Sequence, residues 1–192
     1  MLPLKSIIGL IAVFLSIFSL FPYIVDILKR KTKPHLYTWI VWTPLTFIAF
    51  FAQLSDNAGP GAWTTGVTAT LCLVILALAI PYGTKDITRS DNLSLIGAGA
   101  AAILWFAVKD ITASIILVTL IDVMGFIPTI RKSITKPREE TLITHELSGA
   151  KHLISLFALE KFSLITALYP AAVFLANAVL VGVIVSNRKR LK

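Results

Sequence analysis

Seven apolar runs divide the chain, at about 5–28, 35–54, 62–82, 92–108, 111–131, 141–160 and 162–187. Most reach the length of about 20 mainly apolar residues that a helix needs to cross hydrocarbon. The fourth is the shortest. Barrel strands would alternate polar and apolar positions with a period of two, and these runs do not. The pattern predicts an all-α integral membrane protein with seven transmembrane helices.

Charge adds direction to that picture. Basic residues cluster at Lys29, Arg30, Lys31 and Lys33; at Lys85 and Arg89; at Arg131, Lys132, Lys136 and Arg138; and at Arg188, Lys189, Arg190 and Lys192. The other gaps between runs carry only Lys5, Lys109 and Lys161. Cytoplasmic loops are the ones enriched in Lys and Arg, so the expectation is an N-terminus outside and a C-terminus in the cytoplasm. The formal charge of +8 thereby reads as a topology signal and a contact for anionic lipid headgroups, not as a nucleic-acid footprint.

Composition agrees: 56% of residues are hydrophobic and the mean hydropathy is +0.83, above the roughly 45–50% apolar share of soluble domains. The first run is too long for the apolar part of a signal peptide and is expected to stay as the first helix. Cys72 is the single cysteine, which excludes a disulfide within one chain. No metal site and no cofactor is expected. His145-Glu146 lacks the second histidine, four residues on, of a zinc-protease helix.

The connections are short, and a weak internal repeat runs through them. The first run ends Pro22-Tyr23-Ile24 and leads through basic residues to Thr32-Lys33-Pro34. The fifth ends Pro128-Thr129-Ile130 and leads through Arg131-Lys132 to Thr135-Lys136-Pro137. Two further runs follow each. The chain therefore divides into a first three-helix repeat (1–82), a linker loop with the fourth helix (83–109), and a second repeat with a basic tail (110–192). A single linker helix keeps both copies in the same orientation, a 3+1+3 plan of parallel repeats.

That layout, a proline near the inner end of helices one and five with a basic loop after each, resembles the SWEET and PQ-loop superfamily. The resemblance spans nearly the whole chain in layout, on short motifs. The glutamine that follows proline in PQ-loop proteins is here Tyr23 and Thr129. Pro22, Pro44 and Pro128 match three of the four SWEET helix prolines, and the sixth helix has none. Asn177 stands where the family has an asparagine in the third helix of a repeat; the first repeat offers Thr70. The resemblance implies transport through a cavity between the repeats; the family's sugar specificity is not carried over.

Ionisable groups in hydrocarbon cost about 2.5–3.5 kcal/mol each on insertion scales and tend to face a bundle interior or cavity. Asp122 falls near the middle of helix five, Lys151 and His152 near the middle of helix six, and Asn177 near the middle of helix seven. At matching depth the first repeat shows Ser16, Ser19, Thr46, Thr70 and Cys72. A cavity with one charged and one hydroxyl-lined wall is expected. Its candidate substrate or gating residues are Asp122, Asn177, Lys151, His152, His145, Trp42 and Thr70. Pro22 and Pro128, which each remove an intrahelical hydrogen bond, are candidate hinges. The competing reading pairs Asp122 with Lys151 purely to lock helix packing. His145 and His152 lie seven apart on one face, as a proton relay or as plain interhelical hydrogen bonds. Trp39, Trp63 and Trp105 read as interfacial belt residues. Gly97, Gly99 and the alanines through Ala102 read as a close-packing surface and a face for homo-oligomer contact.

These features favour a transporter or facilitator of a small polar solute in a plasma membrane or bacterial inner membrane. The alternative is a receptor or lipid-binding protein on the same scaffold. An enzyme is not expected, because no nucleophile–base spacing, metal cluster or phosphate loop is present. A retinal protein needs a lysine in the last helix, and 162–186 contains none.

Overall fold

In the computed structural model the described residues are 3–31, 33–83, 89–104, 107, 110–135, 137 and 142–190, without the side chains at 90, 91, 94, 95, 98, 128, 131 and 132. Glu139, Glu140, Trp105, Lys109, Lys85 and Lys136 lie outside them. Among these residues the protein is 88% helical with no strand. The helices are α1 (Leu4–Leu28), α2 (Leu36–Ser55), α3 (Trp63–Tyr82), α4 (Arg89–Ile103), α5 (Ile111–Met124), α6 (Phe126–Thr135), α7 (Leu142–Phe157) and α8 (Leu164–Arg190), with a 3-10 turn at Gly59–Ala62 leading into α3. Four spans, α1, α2, the turn with α3, and α8, are long and apolar enough to cross a membrane.

Their surface is inverted relative to a water-soluble bundle. On α1 the small residues Gly9, Ala12, Ser16 and Ser19, spaced three or four apart, are buried, while Phe14 and Phe18 are 63% and 62% exposed. Small residues inward allow close helix approach, and large apolar residues outward suit lipid. Ser16 and Ser19 return their hydroxyl protons to their own helix, at the carbonyls of Ala12 (3.0 Å) and Ser16 (2.8 Å).

Helix ends follow local chemistry. Past α2, Asn57 takes φ 59° and Gly59 φ 60°, and the Ala58 amide closes on the Gln53 carbonyl at 3.0 Å. A left-handed residue satisfying the last carbonyls in this way is the common helix stop. The Asp110 side chain caps α5 by accepting from the Ala113 amide at 2.9 Å. At the start of α8 the Ser163 hydroxyl accepts from the Thr166 amide (3.2 Å) and the Thr166 hydroxyl from the Ser163 amide (3.0 Å). This is a reciprocal capping box with threonine in the usual place of Glu or Gln.

The fifth apolar run is not one helix. It breaks at Gly125, between α5 and α6. Pro128 has no N–H to give the Met124 carbonyl four residues back, and Gly125, next to that carbonyl, instead donates to Ile121 and Asp122, both at 3.1 Å. Pro22 stands in the same relation to Phe18, yet α1 continues through it. The residue three before Pro22 is Ser19, where the second run has glycine. The expected matching hinges are thus unlike: Pro22 lies on the exposed face of a continuous helix, and Pro128 follows a break.

Packing places α3 between α1 and α2, and α8 between α7 and the α5–α6 pair. α1 also lies along α7, α2 along α5, and α4 bridges α2 and α5. The core between α2, α5 and α8 contains Leu45, Ile48, Ile115, Val118 and Val173. Trp39, expected in the interfacial belt, is instead only 6% exposed and stacks among Tyr23 (5.7 Å) and Trp42 (5.6 Å, edge-on). Trp63 is exposed. Among the small residues of α4, Gly97 approaches Ile121 while Gly99 faces open space.

Candidate functional site

Residues four apart share a helix face, and two such pairs meet α7 in the bundle centre. α2 supplies Trp42 and Thr46, α3 supplies Thr68 and Cys72, and α7 supplies His152 with Lys151 beside it, Ser148 lying one turn away. Lys151 is 3% exposed and donates to the Thr68 hydroxyl at 3.0 Å. Asp122 on α5 is half-buried and lies within electrostatic reach of Lys151, Cys72 and the Tyr169 phenol of α8. The charges are not in direct contact: Lys151 bonds a hydroxyl rather than a carboxylate.

Thr46 gives its proton to the Trp42 carbonyl of its own helix at 2.7 Å. His152, also 3% exposed, meets Tyr169 edge-on at 6.0 Å. Its Nδ1 has no hydrogen-bond partner among the described residues, an unusual condition for a buried polar atom.

A second polar group lies further along α7 toward the basic end. Asn177, 1% exposed, donates to the Val173 carbonyl (2.8 Å) and the Ser148 hydroxyl (3.4 Å), and its Oδ1 faces His145 Nδ1 at 3.3 Å. His145 and His152 thus engage different partners. Trp42 approaches the α5–α6 break: its Nε1 is 3.7 Å from where a Cβ on Gly125 would sit.

The geometry therefore brings together Asp122, Lys151, His152 and Trp42, with Asn177 and His145 adjacent. Thr70 is not among them. It is exposed, bonds the Gly66 carbonyl of its own helix at 2.9 Å, and sits about 200° around α3 from Thr68 at 100° per residue. Ser16 and Ser19 also stay with their own helix. Two participants escaped the sequence reading, Thr68 and Tyr169. The signal for Thr68 was its four-residue spacing from Cys72; a tyrosine in an apolar helix carries no comparable mark.

At the opposite end from the basic tail, the turns 56–62 and 158–163 are joined. The Glu160 amide donates to the Ala58 carbonyl at 3.0 Å, and Lys5 Nζ donates to the Leu159 carbonyl at 2.7 Å. Asp56 receives both the Lys161 ammonium and the Ser163 hydroxyl. The Lys161 hydrogen bond first, then that of Ser163, holds the Asp56 carboxyl below its ordinary range. Gln53 adds a bond from its amide to the Thr166 carbonyl at 2.9 Å.

Compared with protein-family models, curated proteins and solved structures, the chain matches none at a significant level.

Proposed function

We propose that the protein is a SWEET/PQ-loop-like transporter or facilitator that passes a small polar solute between two parallel three-helix halves, 1–82 and 110–192, joined by the fourth helix. The observation that carries the reading is the central polar group, in which Lys151 of the second half bonds Thr68 of the first while Asp122 and Tyr169 lie within electrostatic reach. Buried charge in an apolar bundle is expensive and marks solute or ion pathways. Asp122 and Lys151, left without direct contact, offer a carboxylate and an ammonium to a solute passing between the halves.

The packing supports two equivalent halves. In each, the third helix lies between the other two, and the first helix of each half runs along the second helix of the other: α1 along α7, and α5 along α2. Exchanging the halves leaves that pattern unchanged, as a rotation about the membrane normal requires. Both Thr-Lys-Pro loops also set a buried proline at the end of a third helix. The Pro34 carbonyl closes on Gly83 after α3, and the Pro137 carbonyl accepts from Arg188 Nε of α8 at 3.0 Å.

In this reading the basic end faces the cytoplasm and its cations contact anionic lipid. Cysteines placed at Asn57 and at Arg190 test the orientation: an impermeant thiol reagent outside the cell labels the first and reaches the second only after lysis. Function is tested by a solute-uptake screen in proteoliposomes, with Asp122→Asn as the matched control. Uptake that is identical in the control would remove the central group from the pathway.

A further inference from the structure

The joined turns at the Asp56 end have a consequence for the transport cycle. One belongs to the first half and one to the second, and the contacts between them are specific. Asp56 takes the Lys161 ammonium and the Ser163 hydroxyl together. Ser163 caps α8, so the carboxylate also lies at that helix's N-terminal end, where negative charge is favoured. Glu160 pairs by its backbone with Ala58, and Lys5 closes over the Leu159 carbonyl. Beneath them Gly61 is tightly covered by Leu159.

A second contact lies deeper on the same axis. Lys151 is six residues before Phe157, about 9 Å along α7, and Thr68 is five residues into α3, about 7.5 Å. Their 3.0 Å hydrogen bond again joins one half to the other. Cys72 is a further turn along α3, about 6 Å deeper, and is buried.

We propose that these contacts form a two-tier outer closure: a rim latch of Asp56 with Lys161 and Ser163, and an inner bar of Lys151 with Thr68, both of which open when the cavity faces outward. The proposal rests on the transport reading. The rim latch is polar and solvent-accessible, Lys161 being 54% exposed, so it can release and re-form at small cost. The bar is buried, so its ammonium exchanges the Thr68 hydroxyl for another partner, a solute anion or Asp122, as the halves part.

The native Cys72 reports on this closure without any knowledge of the solute. In sealed right-side-out vesicles, the rate of Cys72 modification by a small impermeant methanethiosulfonate reagent measures how often both tiers open. Loss of one exposed ion pair shifts such an equilibrium only modestly, so Asp56→Ala and Lys161→Ala are each expected to raise the rate roughly two- to fivefold. Asp56→Lys, which sets two cations together, raises it most. Ser163→Ala is a milder variant in case the others unfold, and melting in detergent identifies any that do. A cysteine at Asn57 shows which face the reagent reaches, and Lys29→Gln at the basic end leaves the rate unchanged. Unaltered Cys72 rates in all folded latch variants, alongside Asp122-dependent uptake, overturn the closure and leave transport standing. Faster labelling in a protein with no Asp122-dependent uptake of any solute keeps the closure and overturns the transport reading.

Discussion

Gly61 offers a quantitative test of how the two turns meet. A Cβ built there would lie 2.5 Å from Leu159 Cδ2 and 2.9 Å from Leu159 Cα. Ordinary contact begins near 3.4 Å, so the Leu159 side chain would have to retreat by about 0.9 Å and its backbone by about 0.5 Å. Overpacking of this kind costs about 1–3 kcal/mol. Replacing glycine also restricts the unfolded chain, which returns about 0.4–1 kcal/mol. Gly61→Ala should therefore destabilise by up to about 2.6 kcal/mol, and by about 1.3 kcal/mol at the middle of both ranges. Leu159→Ala removes the closer contact but leaves the 2.9 Å one. In that background the Gly61→Ala penalty should shrink without vanishing, giving a coupling of about 0.5–1.5 kcal/mol in a double-mutant cycle. Unfolding of the four proteins in detergent, followed by tryptophan fluorescence, measures it. An equal effect of Gly61→Ala in both backgrounds would refute the packing of 56–62 against 158–163.

Other outcomes follow from the central group and from Asp56. At an effective dielectric near 20, two charges beyond 4 Å interact by less than about 4 kcal/mol; a cycle of Asp122→Asn and Lys151→Leu should return a coupling of about 1–3 kcal/mol, and a value near zero would disconnect them. Pro128→Ala supplies the amide that the Met124 carbonyl lacks and should rejoin α5 to α6; spin labels on the two helices would then lose relative motion, and no change would make Gly125 alone responsible for the break. Asp56 is held below its ordinary value of 3.8, so its contribution is complete above that pH and is lost as pH falls through the lower folded value. Melting of the parent and of Asp56→Asn should differ by a constant amount from pH 8 to about pH 5 and converge in stronger acid; convergence near neutrality would contradict the latch.

The long helices were legible because period and length suffice for them. The runs at 5–28, 35–54, 62–82 and 162–187 differ from α1, α2, α3 and α8 by at most three residues at an end. The break at Gly125 was not read, although Gly-x-x-Pro carried it, because the hydropathy of 111–131 continues across the gap. Asp122 and Lys151 draw attention in the sequence because a charge is conspicuous in any apolar run. Thr70 lies at the expected depth but about 200° around α3 from Thr68, because depth along a helix does not fix rotation around it. Trp39 shows the same confusion of levels: its position near a helix end suits an interfacial belt, but its neighbours Tyr23 and Trp42 bury it. Which partner each polar group takes depends on the crossing of five helices, and no local pattern encodes that.

The central claim is that Asp122 serves a solute rather than the packing alone. Purified parent protein, Asp122→Asn and the Asp122→Leu, Lys151→Leu pair, reconstituted side by side, should be compared for uptake of the solute that the screen selects and for melting temperature. The account predicts that Asp122→Asn loses most uptake while staying folded, its melting lowered by no more than the lost coupling to Lys151, and that the apolar pair recovers that melting yet transports nothing. Full uptake by the apolar pair would contradict it, because the charges would then be dispensable to whatever passes between the halves.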